Sequence, residues 1–172
     1  MAFLKRLFSK PDPKAEAAKR LADAVFAGAR QPGLFLKGYA RDDFDGRFQM
    51  AALHGGLVMR RLKVLGGEAL VVSEKLGEAL FDRFDYAYRE EGVGDASIAR
   101  KVRKLGERYF GLARAMDGAL EGEEALEAVL SRNGLGQESV NGLADYARQA
   151  DAALAQTGEA ELLAGEIAWP AP

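Results

Sequence analysis

Residues 97–119, SIARKVRKLGERYFGLARAMDGA, carry the clearest secondary-structure signal in the chain. Their apolar positions alternate steps of four and three, and they are Ile98, Val102, Leu105, Tyr109, Leu112, Met116 and Ala119. This spacing places all of them on one stripe of an α-helix. It predicts an amphipathic helix that packs on a hydrophobic core, with Asp95 or Ser97 as its N-cap.

Helical spacing recurs on both sides of this stretch. Cap and turn residues predict three earlier helices, which run from Asp12-Pro13 to about residue 31, from Asp42 or Asp43 to about Leu65, and from about Glu68 to Glu91. Weaker signals predict helices at about 123–132, 138–156 and 159–164. No useful β-alternation and no internal repeat is found. The sequence therefore predicts an all-α, single-domain bundle of about five to seven helices, in which the opening stretch is the fourth.

Helix caps, glycines and prolines divide the chain into three parts. Residues 1–12 form a basic, amphipathic N-terminal segment, residues 13–165 the helical domain, and residues 166–172 an extended tail that contains two prolines. Gly55-Gly56 falls inside the second predicted helix. Two glycines there destabilise a helix by roughly 1 kcal/mol each, so they predict a close helix crossing or a bend.

The amino-acid composition limits the kinds of site that the protein can contain. The 172 residues are 48% apolar and 29% charged, which is typical of a globular domain. The absence of cysteine excludes disulfides, thiolate metal sites and a cysteine nucleophile, and a single histidine, His54, does not supply a zinc site. No apolar run is long enough to span a membrane, and the N-terminus lacks a secretion-signal pattern. We therefore expect the protein to stay where it is made.

Charge is unevenly distributed. Residues 97–116 carry six positive groups and one negative, whereas residues 117–172 carry two and eleven. Lys101, Lys104 and Arg108 line one edge of the fourth helix, and Arg60-Arg61 lies at the end of the second. Such a surface suits the phosphates of RNA or lipid, or an acidic partner. The alternative is an ordinary solvated helix face.

Polar residues on the second predicted helix allow two interpretations. Asp45, Arg47 and His54 lie close to core positions, where they form either a ligand site or a buried hydrogen-bond network. An enzyme with His54 as the base, acting on a small hydrophobic substrate, is a further hypothesis. The glycine-rich pieces at 66–67 and 92–94 do not form a nucleotide-binding motif and are explained as turns.

Three ordered blocks of residues carry a family resemblance. In order, the blocks are FDGRF (44–48) with Leu53-His54 and VMRRL (58–62); LFDRF (80–84) with REEGVGD (89–95); and KVRK (101–104) with YFG (109–111). Over roughly residues 13–155 they resemble the ubiquinol–cytochrome c chaperone family. The chain size and the lack of an N-terminal extension resemble the bacterial members.

The resemblance implies a function. Members are all-helical assembly factors of the cytochrome bc1 complex, and mitochondrial relatives bind newly made cytochrome b near the ribosomal exit together with a small partner protein. By that likeness, this chain binds cytochrome b or other bc1 subunits and uses no cofactor. It implies a chaperone rather than an enzyme, with no DNA partner and no small-molecule substrate. It also implies a bacterial cytoplasmic location, with the inner face of the plasma membrane or the ribosome as peripheral contacts.

A client-binding role needs a surface. We expect an apolar groove between helices that shelters a transmembrane segment of cytochrome b. The family motif and the basic pattern together suggest candidate client- or partner-binding residues, which are Arg47, His54, Arg60, Arg61, Asp85, Asp95, Lys101, Lys104 and Arg108. No catalytic, cofactor or metal residue is predicted. The alternative function is an RNA- or ribosome-associated module that uses the basic face of the fourth helix.

Overall fold

A computed structural model describes residues 12–90 and 94–172, and these residues form eight helices and no strand. In chain order the helices are α1 (Pro13–Ala29), α2 (Pro32–Leu36), α3 (Phe44–Leu65), α4 (Glu68–Glu90), α5 (Asp95–Leu120), α6 (Leu126–Arg132), α7 (Val140–Gln156) and α8 (Glu159–Ala164). The all-α class is confirmed. Six of these helices have seven residues or more, and α2 and α8 are short segments of five and six residues.

Helix boundaries follow the caps that the sequence encodes. The Asp12 carboxylate accepts a hydrogen bond from the Lys14 amide at 3.0 Å, and Pro13 occupies the first helical position of α1. The Asp43 carboxylate accepts from the Gly46 amide at 2.8 Å at the start of α3. The predicted starts of these two helices are therefore confirmed.

The N-cap of α5 differs from the prediction. Gly94 is the N-cap, rather than Asp95 or Ser97. The Ser97 hydroxyl donates to the Gly94 carbonyl at 2.9 Å, so it stabilises the first turn from inside the helix. Helix ends predicted from sequence commonly shift by one or two residues in this way.

Helix α3 is the centre of the bundle. It packs against α1, α4, α5 and α7, and residues 50–58 are all buried. A Cβ atom on Gly55 would lie 2.4 Å from the Tyr109 hydroxyl, and one on Gly56 would lie 3.1 Å from the Ala113 Cβ. The glycine pair therefore permits the close crossing of α3 and α5, as predicted.

The C-terminal tail packs back onto the bundle. The Trp169 indole Nε1 donates to the Ala24 carbonyl at 2.9 Å, and its ring meets the His54 ring edge to face at 4.7 Å between centroids. A Cβ atom on Gly28 would lie 2.6 Å from the indole, so only glycine fits there. Residues 166–172 contain no helix. The predicted N-terminal basic segment lies, except for Asp12, outside the described residues.

Across residues 12–90 and 94–172, none of the helices is both long and apolar enough to cross a bilayer.

Candidate functional site

A groove of about 700 Å³ opens between the C-terminal end of α1, the N-terminal end of α3 and the C-terminal half of α4. Its apolar wall is formed by four phenylalanines, which are Phe26, Phe44, Phe48 and Phe84. Ala29 and Ala87 leave space between the rings, and Tyr86 stands at the rim with 64% of its surface exposed. The groove is therefore lined by aromatic rings from three different helices.

The rings hold one another in place. Phe84 meets Phe26 and Phe48 edge to face, at 5.8 and 5.1 Å between ring centroids. Phe44 stacks on Tyr88 at 4.8 Å. Such pairs contribute roughly 0.5–1.5 kcal/mol beyond their burial. We infer that the groove is largely preformed and needs little rearrangement to accept an apolar side chain.

Charged groups of both signs surround the groove. The guanidinium groups of Arg30 and Arg83 each lie 5.3 Å from the centroid of the Phe26 ring, a cation–π distance. At the mouth, Arg47 Nε donates to the Asp42 carboxylate at 2.7 Å, and this hydrogen bond raises the pKa of Arg47. The rim can therefore meet polar groups of either charge on a bound segment.

Arg60 and Arg61, both predicted partner-binding residues, make intramolecular contacts. Arg60 Nη1 donates to Asp117 at 2.5 Å and to Glu121 at 2.6 Å, and its Nε donates to Asp151 at 3.2 Å. Burial alone would lower the pKa of Arg60, but the hydrogen bonds that Arg60 donates to Glu121 and Asp117 outweigh burial, and the pKa is raised. This cluster ties α3 to α5 and α7, which is a structural role.

The Arg61 side chain points toward the end of α7. Its Nη2 donates to the Thr157 carbonyl at 3.1 Å, and its Nε is buried without a hydrogen-bond partner among the described residues. Because both arginines engage the interior of the bundle, little of either side chain is available to a partner.

The basic edge of α5 divides into two groups. Arg108 donates two hydrogen bonds to the Asp45 carboxylate, at 2.6 and 3.1 Å, and these hydrogen bonds lower the pKa of Asp45. The Arg108 guanidinium also lies 5.1 Å from the Phe48 ring centroid. Lys101 Nζ lies 5.4 Å from the Tyr88 ring centroid. Lys104 is exposed and, within the described part of the chain, has no ion-pair partner. Arg108 and Lys101 thus support the groove wall from behind.

His54 is completely buried and fully hydrogen-bonded. Its Nδ1 donates to the Met50 carbonyl at 2.8 Å, so Nε2 is the acceptor for the Tyr146 hydroxyl at 2.7 Å. Gln31 Nε2 in turn donates to the Tyr146 oxygen at 3.3 Å. Burial lowers the pKa of His54 to about 4. This is the buried network that the sequence allowed as one interpretation, and it leaves the imidazole no access to a substrate or client.

The remaining predicted residues lie apart from this network. The Asp85 carboxylate accepts from Arg89 Nε at 2.8 Å across one turn of α4. Asp95 begins α5, and its side chain lies outside the described residues. Of the eight predicted residues whose side chains are described, only Arg47 lines the groove. No cluster of His, Asp and Glu in the described ranges could hold a metal ion.

Sequence reasoning did not assign the groove phenylalanines to a binding site. Phe44, Phe48 and Phe84 follow helical spacing, which predicts core positions equally well. A usable signal was the high aromatic density of residues 81–88 (FDRFDYAY), where four of the eight residues are Phe or Tyr. Only the tertiary structure brings that motif opposite Phe26.

The fold and the groove define an all-α bundle that offers a preformed aromatic cleft. The sequence model for the family described as "Ubiquinol-cytochrome C chaperone" matches residues 39–169, and the chain belongs to this family. A similar solved structure is the crystal structure of the Cbp3 homolog from Brucella abortus, with 25% sequence identity and a TM-score of 0.78. The match covers 98% of this chain and 96% of that one. No curated protein matches the chain significantly.

Proposed function

We propose that this protein is an assembly chaperone of the cytochrome bc1 complex that binds newly made cytochrome b, apo or partly matured, through the aromatic groove. Membership of the ubiquinol–cytochrome c chaperone family supports the assembly role. The role is one of binding rather than catalysis. It predicts a protein that works in the bacterial cytoplasm, beside the membrane into which cytochrome b is inserted.

The observation that carries the proposal is the chemistry of the groove. Four phenylalanine rings provide an apolar wall, and a volume of about 700 Å³ accommodates a few large side chains rather than a whole helix. Transmembrane segments are apolar, and their cytoplasmic ends are enriched in Lys and Arg. The groove could take apolar side chains from such an end, while Glu90 at the rim faces its cations. Asp42 and Asp43 also line the groove but are engaged by Arg47 and by the Gly46 amide.

Binding strength would come mainly from apolar burial. Each Å² of apolar surface removed from water contributes roughly 25 cal/mol, before the cost of ordering the client. Two or three buried side chains would therefore support a transient complex rather than a permanent one. A transient complex suits a chaperone, because the client must be released to its final assembly.

Replacement of Ala87 by arginine tests the groove. Ala87 lines the groove between the rings, so a long charged side chain at this position fills the cleft without removing any aromatic contact. The matched control is Ala155→Arg, which adds the same side chain at an exposed position of α7, away from the groove. Both variants should retain the helical content and the melting temperature of the unmodified protein.

The assay is co-isolation of cytochrome b from a bc1-containing bacterium in mild detergent, with bc1 haem b absorbance as a second readout. We expect A87R to lower both at least tenfold and A155R to leave both unchanged. If the unmodified protein brings down no cytochrome b, the proposed function is wrong. If A87R brings down as much as the unmodified protein, the function can stand but the groove is not the client site.

A further inference from the structure

One surface of the bundle is strongly cationic, and its cations form no ion pairs with the residues that the structure describes. Helix α5 buries one side against α3, α4 and α6, and its opposite side faces solvent. We define the outer face of α5 by six of its exposed residues, which are Arg100, Arg103, Lys104, Glu107, Phe110 and Arg114. Four cations and one carboxylate give this face a net charge of +3.

The cations of the outer face are not neutralised within the fold. In the described ranges, no carboxylate lies within ion-pair distance of Arg100, Arg103, Lys104 or Arg114. Other cations of similar exposure do find partners: Arg132 pairs with Glu124, and Arg148 donates to Glu127 at 2.7 Å. The fold thus leaves several like charges together, which costs electrostatic free energy unless an external anion offsets it.

An exposed aromatic ring lies on the same face. Phe110 is 55% exposed and lies two turns after Arg103 and one turn before Arg114. Its ring stacks on Phe81 at 5.9 Å and meets Tyr109 edge to face at 5.2 Å, so it is held in position from beneath. An apolar side chain fixed among cations is typical of helices that lie at a membrane interface.

The charge changes sign along α5. Beyond Arg114 the helix and the following turn carry Asp117, Glu121, Glu123 and Glu124. The cationic part runs from Arg100 to Arg114, a distance of 14 residue steps or about 21 Å at the helical rise of 1.5 Å per residue. Asp117 and Glu121 are paired with Arg60, and Glu124 is paired with Arg132. The part of α5 that is drawn to an anionic plane therefore ends at Arg114.

We propose that the outer face of α5 is a docking surface for the anionic lipid headgroups of a membrane. Clustered Lys and Arg residues bind anionic lipids electrostatically, and Phe110 would enter the headgroup region. RNA fits less well: single strands are bound in grooves that follow the backbone and on freely accessible ring faces. Here the surface is the outward side of one helix, and Phe81 covers one face of the Phe110 ring. The inference does not depend on the proposed client.

Vesicle flotation with the full chain tests the docking surface. The probes are vesicles of phosphatidylcholine alone and vesicles containing 30% phosphatidylglycerol (about one anionic lipid in three), with a single-stranded oligouridylate as the RNA arm. The variant is R103Q/K104Q, and the matched control is K19Q/K37Q, which removes the same charge from exposed positions on α1 and just after α2. All four positions are at the surface, so melting temperatures should not change.

We expect the unmodified protein to float with the anionic vesicles and not with the neutral ones. One kcal/mol or so per cation at the surface predicts that R103Q/K104Q weakens partitioning about 20–30-fold, while K19Q/K37Q changes it little. Phe110→Ser should weaken it on the order of tenfold and leave its salt dependence unchanged.

Three results would overturn the inference. The first is no preference of the unmodified protein for anionic vesicles. The second is an equal loss in R103Q/K104Q and the control, which would assign binding to net charge or to residues outside the outer face. The third is tight oligouridylate binding that R103Q/K104Q abolishes while flotation is unaffected, which would make this face an RNA site.

Discussion

The most direct consequence of the buried His54 network is a pH-dependent stability. The folded protein holds His54 neutral, with its pKa lowered from 6.5 to about 4 by burial. Between these values the unfolded chain binds a proton that the folded chain does not bind. Stability from this group is therefore fully present above about pH 6.5 and is lost as the pH falls toward 4. The full effect is about 3 kcal/mol, of which about 2 kcal/mol is lost by pH 5.

Protonation has a specific structural cost. The Nε2 atom of His54 accepts from the Tyr146 hydroxyl, which itself accepts from Gln31. An added proton on Nε2 faces that hydroxyl, which would have to turn and become the acceptor. Its own proton would then point toward the Gln31 amide, which is already a donor. Each donor left unpaired in the interior costs on the order of 1–3 kcal/mol.

The assay compares urea unfolding of the unmodified protein and His54→Gln at pH 7.5 and pH 5.0. Glutamine cannot ionise, whereas the carboxylates titrate in both proteins. The difference between the two proteins therefore reports the ionisation of His54 alone. We expect the unmodified protein to lose about 2 kcal/mol more than the variant over this interval. Since His54 is the single histidine, its ring resonance can be followed separately by NMR. Parallel losses in the two proteins, or a ring that titrates near pH 6.5, would refute this reasoning.

Three further outcomes are expected. Gly55→Ala should destabilise the protein by about 1–3 kcal/mol in thermal or urea unfolding, because the new methyl group meets the Tyr109 hydroxyl. Adding Tyr109→Phe should recover part of this loss. If it recovers none, the clash lies elsewhere. Trp169→Ala should expose His54 and raise its pKa toward 6.5 in an NMR titration, whereas an unchanged value would mean that the indole does not seal the site. Arg60→Met should leave three carboxylates without their shared cation and cost roughly 1–3 kcal/mol in urea unfolding; a neutral effect would show that the cluster is not a structural junction.

Local chemistry made the helices predictable. The carboxylates of Asp12 and Asp43 cap α1 and α3 by accepting hydrogen bonds from backbone amides two or three residues ahead. Contacts this local can be predicted from the sequence. The Gly55-Gly56 pair likewise indicated a close crossing, although not the partner helix. The all-α class and the family both followed from such short-range patterns, and both are confirmed.

The site could not be predicted in the same way, because its parts are brought together only by tertiary packing. Phe26 and Phe84 are 58 positions apart, and each alone looks like a core residue. Cations are equally ambiguous: Arg60 and Arg103 are alike in sequence, yet one is 17% exposed within a ring of carboxylates and the other faces solvent. Whether a charge is available to a partner depends on neighbours that are distant in the chain.

The Trp169 contact also orders events during synthesis. The indole reaches back 145 positions to the Ala24 carbonyl and closes over the His54 ring. A ribosome delivers α1 and α3 first, so the growing chain must carry an unsealed imidazole until Trp169 emerges. We expect translation intermediates that stop before Trp169 to be more sensitive to protease, and to mild acid, than the released protein.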